Sequence, residues 1–167
     1  MKLFIFTLCI VAATCDLAQF VEDQTEIIRA SWNQVKHNEV DILYSIFAAN
    51  PDIQARFPQF AGKDLKTLKS SSSFASHAGR IVGFFSKITE LNPNDSGVSA
   101  AKTLINEVAA SHKGRGVSKA QFNAFRVSLT AYLADHVTWN ENVAQAWEKG
   151  LDNVYLVLFS AFDGSPM

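Results

Sequence analysis

Residues 74–88, FASHAGRIVGFFSKI, constrain this chain more than any other stretch. Phe74, Ala78, Ile81, Phe84, Phe85 and Ile88 recur at three- and four-residue steps. That spacing lines one face of an α-helix, and an apolar stripe this wide needs an opposing surface to bury it. His77 lies inside the stripe, one turn from Phe74 and one turn from Ile81. A second run, Val98-Ala101-Ile105-Val108-His112, has the same steps and ends on another histidine. Two helices that each aim one imidazole inward can hold something flat between them. Neutral imidazole suits the task, because one ring nitrogen can ligate a metal while the other donates a hydrogen bond.

The rest of the chain repeats the helical period. Ile28, Trp32 and Val35 share one face of a helix over residues 21–36, and Val40, Leu43, Tyr44 and Phe47 mark a second. Asn50-Pro51 predicts a new helix, with Asn as cap and Pro at the first position, where the missing N–H costs nothing. Phe57-Pro58 keeps that helix short, since the residue before proline avoids helical geometry. The segment PQFAGKD then reads as an irregular corner that points Phe57 and Phe60 inward to close one end of the core. One serine of Ser70–Ser73 is expected to cap the His77 helix, and NPNDSG, residues 92–97, reads as a loop. Ser118 and Gln121 form a capping box ahead of Phe122, Phe125, Leu129, Tyr132 and Leu133. A last helix carries Ala144, Trp147, Leu151, Val154, Tyr155, Leu158 and Phe162. No period-two alternation, internal repeat or sustained heptad is present. The expectation is an all-α domain of six long or medium helices plus one or two short ones.

Composition bounds the partners. With 48% apolar residues in 167, one globular core is affordable, and a net charge of −1 offers no footprint for nucleic acid or an anionic membrane. At the N-terminus, Lys2 precedes the mostly apolar run Leu3–Ala13, and Ala13-Thr14-Cys15 offers small residues for a signal peptidase. The run is too short to span a bilayer. Cleavage is expected after Cys15, with Ala13 as the competing site. Residues 1–15 then form a signal peptide, residues 16–167 the folded domain, and the mature chain keeps neither Cys9 nor Cys15.

Nucleophilic catalysis has no support: no GxSxG elbow occurs, and no free cysteine survives processing. Zinc motifs are absent as well. Either inward histidine alone would pass for a core residue. Together with two corner phenylalanines they match what a haem needs: one neutral axial imidazole, an apolar slot and a group of chosen polarity on the opposite face.

The order Asn50-Pro51, Phe57, Phe60, His77, Ile81, and then His112 before a basic turn, resembles the globin pattern. Trp32 in the first helix and Trp147 in the last match it too. The segments ILYSIF, RFPQFAGKDL, HAGRIVGFFSKI and ASHKGRGV are similar to the secreted haemoglobins of midge-type insect larvae. The resemblance spans residues 21–162. It implies a globin fold of six to eight helices enclosing a pocket for haem b, iron protoporphyrin IX. It also implies an extracellular oxygen-binding protein of haemolymph-like fluid, monomer or homodimer, with CO and NO as further ligands and no catalytic residue. By the same resemblance His112 is the proximal iron ligand and His77 the distal histidine beside the bound oxygen. Phe57 is then the haem wedge and Ile81 the aliphatic cover, while Phe60, Val108 and Phe125 line the pocket. Arg80 is either a partner for a haem propionate or an ordinary exposed helix charge. The alternative function is haem-dependent oxidation, such as nitric oxide dioxygenation or peroxidase-like turnover, which would need an outside electron source.

One feature departs from the pattern. Thirty-five positions separate His77 from His112, a long interval for this family, and the extra residues are expected in NPNDSG and its flanks, between helices.

Overall fold

The computed structural model describes residues 23–167. The expected signal peptide, its expected cleavage site and the expected helix start at residue 21 lie outside the described residues. Helix α1 runs to residue 35 from the first described position, 23. It is followed by α2 (Glu39–Ala49), α3 (Pro51–Gln54), α4 (Leu65–Leu68), α5 (Ser72–Glu90), α6 (Asp95–Lys113), α7 (Lys119–His136) and α8 (Glu141–Phe162). No strand occurs among the described residues. Six long helices and two single-turn ones match the all-α expectation.

Helix α2 packs against α5 and α7, while α6 lies along α8. The core is accordingly divided. One cluster gathers Trp32, Ile42, Phe47, Phe74, Leu129 and Trp147 among others, and a smaller one holds Ile105, Ala109, Val157 and Leu158. Phe84, Phe122 and Val154 pack against both clusters and so bridge them. The tryptophans anchor the larger cluster with their rings 6.0 Å apart. Both indole N–H groups are satisfied, as buried donors must be. Trp32 donates to Ser86 Oγ and Trp147 to Ser31 Oγ, each at 2.9 Å.

Local signals explain most boundaries. Ser71 Oγ accepts from Phe74 N and starts α5, and the Ser118–Gln121 capping box opens α7 with both reciprocal bonds. Three expectations need correction. Asn50 does not cap α3 with its side chain. Its amide donates to Ile46 O and Ser128 Oγ instead, at 2.8 and 2.7 Å, because closing the end of α2 and tying it to α7 uses the same group. NPNDSG is not a loop throughout. Asn94 Oδ1 accepts from Gly97 N at 2.9 Å, so α6 already begins at Asp95, whose carboxylate suits the positive helix end. The link is therefore only residues 91–94, and most of the interval between the histidines is helix, within α5 and α6 of 19 residues each. Val98, expected on the inner face, is 47% exposed, since the first turn of α6 buries Gly97 against the link instead, and Ile105 is the first residue of the run to enter the core.

The corner before α5 is held by Gln54, a buried side chain whose Nε2 donates to the carbonyls of Phe60 and Lys63, both at 2.9 Å. At the link into α6, Gly97 is required by close approach: a Cβ there would lie 1.9 Å from Asn92 O. Gly97→Ala must push the link away from the helix, and overpacking of this kind costs about 1–3 kcal/mol. A matching loss in denaturant stability is expected. Unchanged stability would mean that the link relaxes freely.

Candidate functional site

Between the two clusters lies a cavity of about 550 Å³, within the range of roughly 300–1,000 Å³ usual for cofactor sites. Its wall is chiefly apolar, with Phe47, Ile81, Phe84, Phe85, Val108 and Phe125 among the lining residues. Helix α5 presents two adjacent ridges. Phe74, Ala78, Val82, Phe85 and Thr89 are buried, while His77, Ile81 and Phe84 are half-buried and line the cavity. The stripe read from the sequence merges these ridges.

His77 and His112 both line the cavity. His112 Nδ1 lies 2.8 Å from Val108 O, one turn earlier on α6. A carbonyl can only accept, so Nδ1 carries the proton and Nε2 keeps a free lone pair. His77 Nδ1 lies 3.2 Å from Arg80 Nη2. A guanidinium can only donate, so here Nδ1 accepts and the proton is on Nε2. The two rings are thus opposite tautomers, one offering a lone pair and the other an N–H. The His77 ring also packs edge-on against Phe57 at 4.5 Å and lies 6.1 Å from Phe60. The His112 ring lies 5.3 Å from Phe122.

Both imidazoles are held neutral. Burial, followed by the charges of Arg80, His112 and Arg115, lowers the His77 pKa from 6.5 to about 4. Burial also lowers that of His112, with Arg115 in the same direction, against the opposing effect of the bond to Val108 O.

Of the residues expected at the site, Phe57, His77, Arg80, Ile81, Val108, His112 and Phe125 line the cavity. Phe60 does not. It is fully buried behind Phe57, between Phe47 and Phe74, and backs the wall rather than forming it. Sequence reading missed Arg56 and Arg115, which join Arg80 as exposed guanidinium groups on the cavity rim. The KGRG turn was the only hint of Arg115. Gly116, at φ 72°, brings that turn close to the corner, since a Cβ there would lie 3.8 Å from Arg56 Nη1. Tyr155 is on the wall as well, with its hydroxyl donating to Phe122 O at 2.6 Å.

No group of three or more His, Cys, Asp or Glu side chains that could hold a metal occurs among the described residues. A metal in this cavity would find few protein ligands beyond the histidine nitrogens, of which His112 Nε2 has the free lone pair, and would have to bring most of its ligands along. A flat macrocycle with its own ring of nitrogens meets that condition. The Globin family model matches residues 40–158.

The chain is a globin. Globin CTT-II beta of Chironomus thummi thummi is 56% identical to it over 160 residues, covering 96% of this chain and 99% of that one. Globin CTT-IX of the same organism is 55% identical over 161 residues, covering 96% and 99%. Among solved structures, the haemoglobin component TA-VII from Tokunagayusurika akamusi superposes with a TM-score of 0.80 at 37% identity, over 83% of this chain and 93% of that one.

The lowered pKa of His77 in this globin has a definite sign. Its folded value lies below 6.5, so the unfolded chain takes up the proton first, and stability falls as the pH drops from about 6.5 towards 4. Ring resonances should give a midpoint near 4, and the parent should lose more stability across that window than His77→Leu. A midpoint at 6.5 would contradict the burial of the ring.

Proposed function

We propose that this globin is an extracellular haemoglobin that binds oxygen reversibly on haem b held between α5 and α6. The observation that carries the reading is the pair of half-buried histidines in opposite tautomers on one apolar cavity. When bound, haem would supply a ferrous iron that takes one protein nitrogen and a diatomic ligand. His112 Nε2 would be the nitrogen that holds the iron, and the Val108 carbonyl, by accepting the hydrogen bond from Nδ1–H, orients the ring and raises its basicity. The rim guanidinium groups of Arg56, Arg80 and Arg115 suit the two carboxylates of the macrocycle.

On the ligand side, His77 Nε2–H would be the donor to oxygen, which carries more negative charge than carbon monoxide. A hydrogen bond to a charged acceptor contributes about 1.5–3 kcal/mol, roughly ten- to a hundredfold in affinity. Phe57, Ile81 and Phe85 exclude water and stray proton donors, which protects the ferrous state.

Oxygen carriage is favoured over peroxidase-like turnover by the same tautomer. A general base needs a free lone pair facing the substrate, and the lone pair of His77 is turned to Arg80. No Asp or Glu lines the cavity among the described residues. Secretion rests on the N-terminal pattern of Lys2 and Leu3–Ala13. No helix among the described residues is long and apolar enough to cross a membrane.

Purified protein should show the haem spectrum and shift reversibly between deoxygenated and oxygenated forms. His112→Gly should lose the protein's axial bond and recover part of the ferrous spectrum on addition of imidazole. A variant indistinguishable from the parent would move the axial role to another residue.

His77→Leu keeps the volume and apolar character of the α5 ridge, so the fold should survive at small cost. Oxygen should leave about ten- to a hundredfold faster and oxidation should accelerate, while carbon monoxide binding changes much less. Unchanged oxygen dissociation together with a lowered melting temperature would make His77 a packing residue.

A further inference from the structure

We propose that Arg80 is a positioning residue that locks His77 in the Nε2–H tautomer and thereby keeps its donor turned to the ligand side of the cavity. The inference rests on the haem-binding reading above and adds to it a residue that does not touch the ligand.

The geometry begins on one helix. Arg80 follows His77 by three residues and Ser76 by four, so all three share a face of α5. Arg80 Nη2 meets His77 Nδ1 at 3.2 Å, while Nη1 donates to Ser76 Oγ, also at 3.2 Å. The guanidinium is therefore held at two points before it meets the ring. Its planar fork loses less freedom per hydrogen bond than a lysine ammonium would. Since it has no acceptor, the only ring it can bond is one with a lone pair on Nδ1.

The alternative tautomer is the one this contact opposes. With the proton on Nδ1, that N–H would point at a guanidinium that cannot accept it, and the uncommitted nitrogen would present a lone pair to the cavity. Such a ring cannot donate to a ligand. Phe57, edge-on at 4.5 Å, fixes where the ring lies but offers no polar atom to choose between the forms. Among the contacts of the ring, only the one with Arg80 discriminates.

Arg80 is exposed, so it also lies within reach of solvent and of the carboxylates assigned to the rim. Packing does not require it. The chain therefore places a solvent-facing charge where its chief structural consequence is the proton position on a half-buried neighbour.

The test uses the full holoprotein in its diamagnetic carbonmonoxy form, labelled with ¹⁵N at histidine, as parent and as Arg80→Met. Met keeps a similar aliphatic reach without the donor. The parent should show His77 as a single Nε2–H tautomer, and Arg80→Met should show a mixture with a substantial Nδ1–H population. If the competent fraction falls to between a half and a fifth, apparent oxygen affinity falls about two- to fivefold, with the axial His112 signals unmoved. An unchanged His77 tautomer in Arg80→Met overturns the inference, and so does a parent already in the mixed or Nδ1–H form. Haem uptake is read first from the absorption spectrum. A parent that takes up no haem sinks the cavity reading and this inference with it. A haem-loaded pair with identical tautomers sinks this inference alone.

Discussion

His112 Nδ1–H donates to the Val108 carbonyl, and His77 accepts at Nδ1 from Arg80. Both contacts close within a single turn of their own helix, so neither depends on the distance between α5 and α6. Each ring is chemically prepared before the two helices are brought together. Packing then needs only to aim one lone pair and one N–H at a shared space. Burial reinforces the arrangement, since both rings are pushed towards neutrality and neither can satisfy its cavity nitrogen by becoming charged.

The shared space is also a packing constraint. Close-packed cores do not leave about 550 Å³ between two clusters without consequence. Phe84, Phe122 and Val154, which serve both clusters, surround the cavity rather than filling it. A ligand that occupies it joins the two clusters through its own faces, and whatever binds the folded state alone stabilises that state by mass action. Helix α6 has most to gain, because its main partner is α8 rather than α5. In this fold the cofactor belongs to the tertiary structure as much as to the chemistry.

Helix identity and most caps were legible in the sequence because they depend on residues three or four apart. Ser71, Ser118 with Gln121, and the Phe74–Ile88 stripe are of that kind. What was not legible depends on contacts distant in sequence. Asn50 was misassigned because its amide is used by Ser128, 78 residues away. Phe60 and Phe57 look alike as corner aromatics, and only the three-dimensional ring stack puts one on the wall and the other behind it. Arg56 carries no local mark of its position, since what brings it to the rim is the approach of the turn after α6. The tautomers form an intermediate case. Both Nδ1 partners lie at helical spacing, but i and i+3 neighbours touch only if their rotamers agree, which the sequence does not specify.

The long interval between the histidines takes on meaning from where its residues lie. The link, residues 91–94, is as short as helix connections usually are, and the Gly97–Asn92 approach packs it tightly. His77 lies 13 residues before the end of α5, and His112 is 17 residues past the start of α6. At 1.5 Å per residue, each histidine lies roughly 20–25 Å along its helix from the connection. Flexing of the link is therefore transmitted to the site only through whole helices, which resist bending. A longer loop would have let α5 and α6 settle independently. Carried as helix, the same residues extend the rigid arms that set how far apart the lone pair of His112 and the N–H of His77 are held.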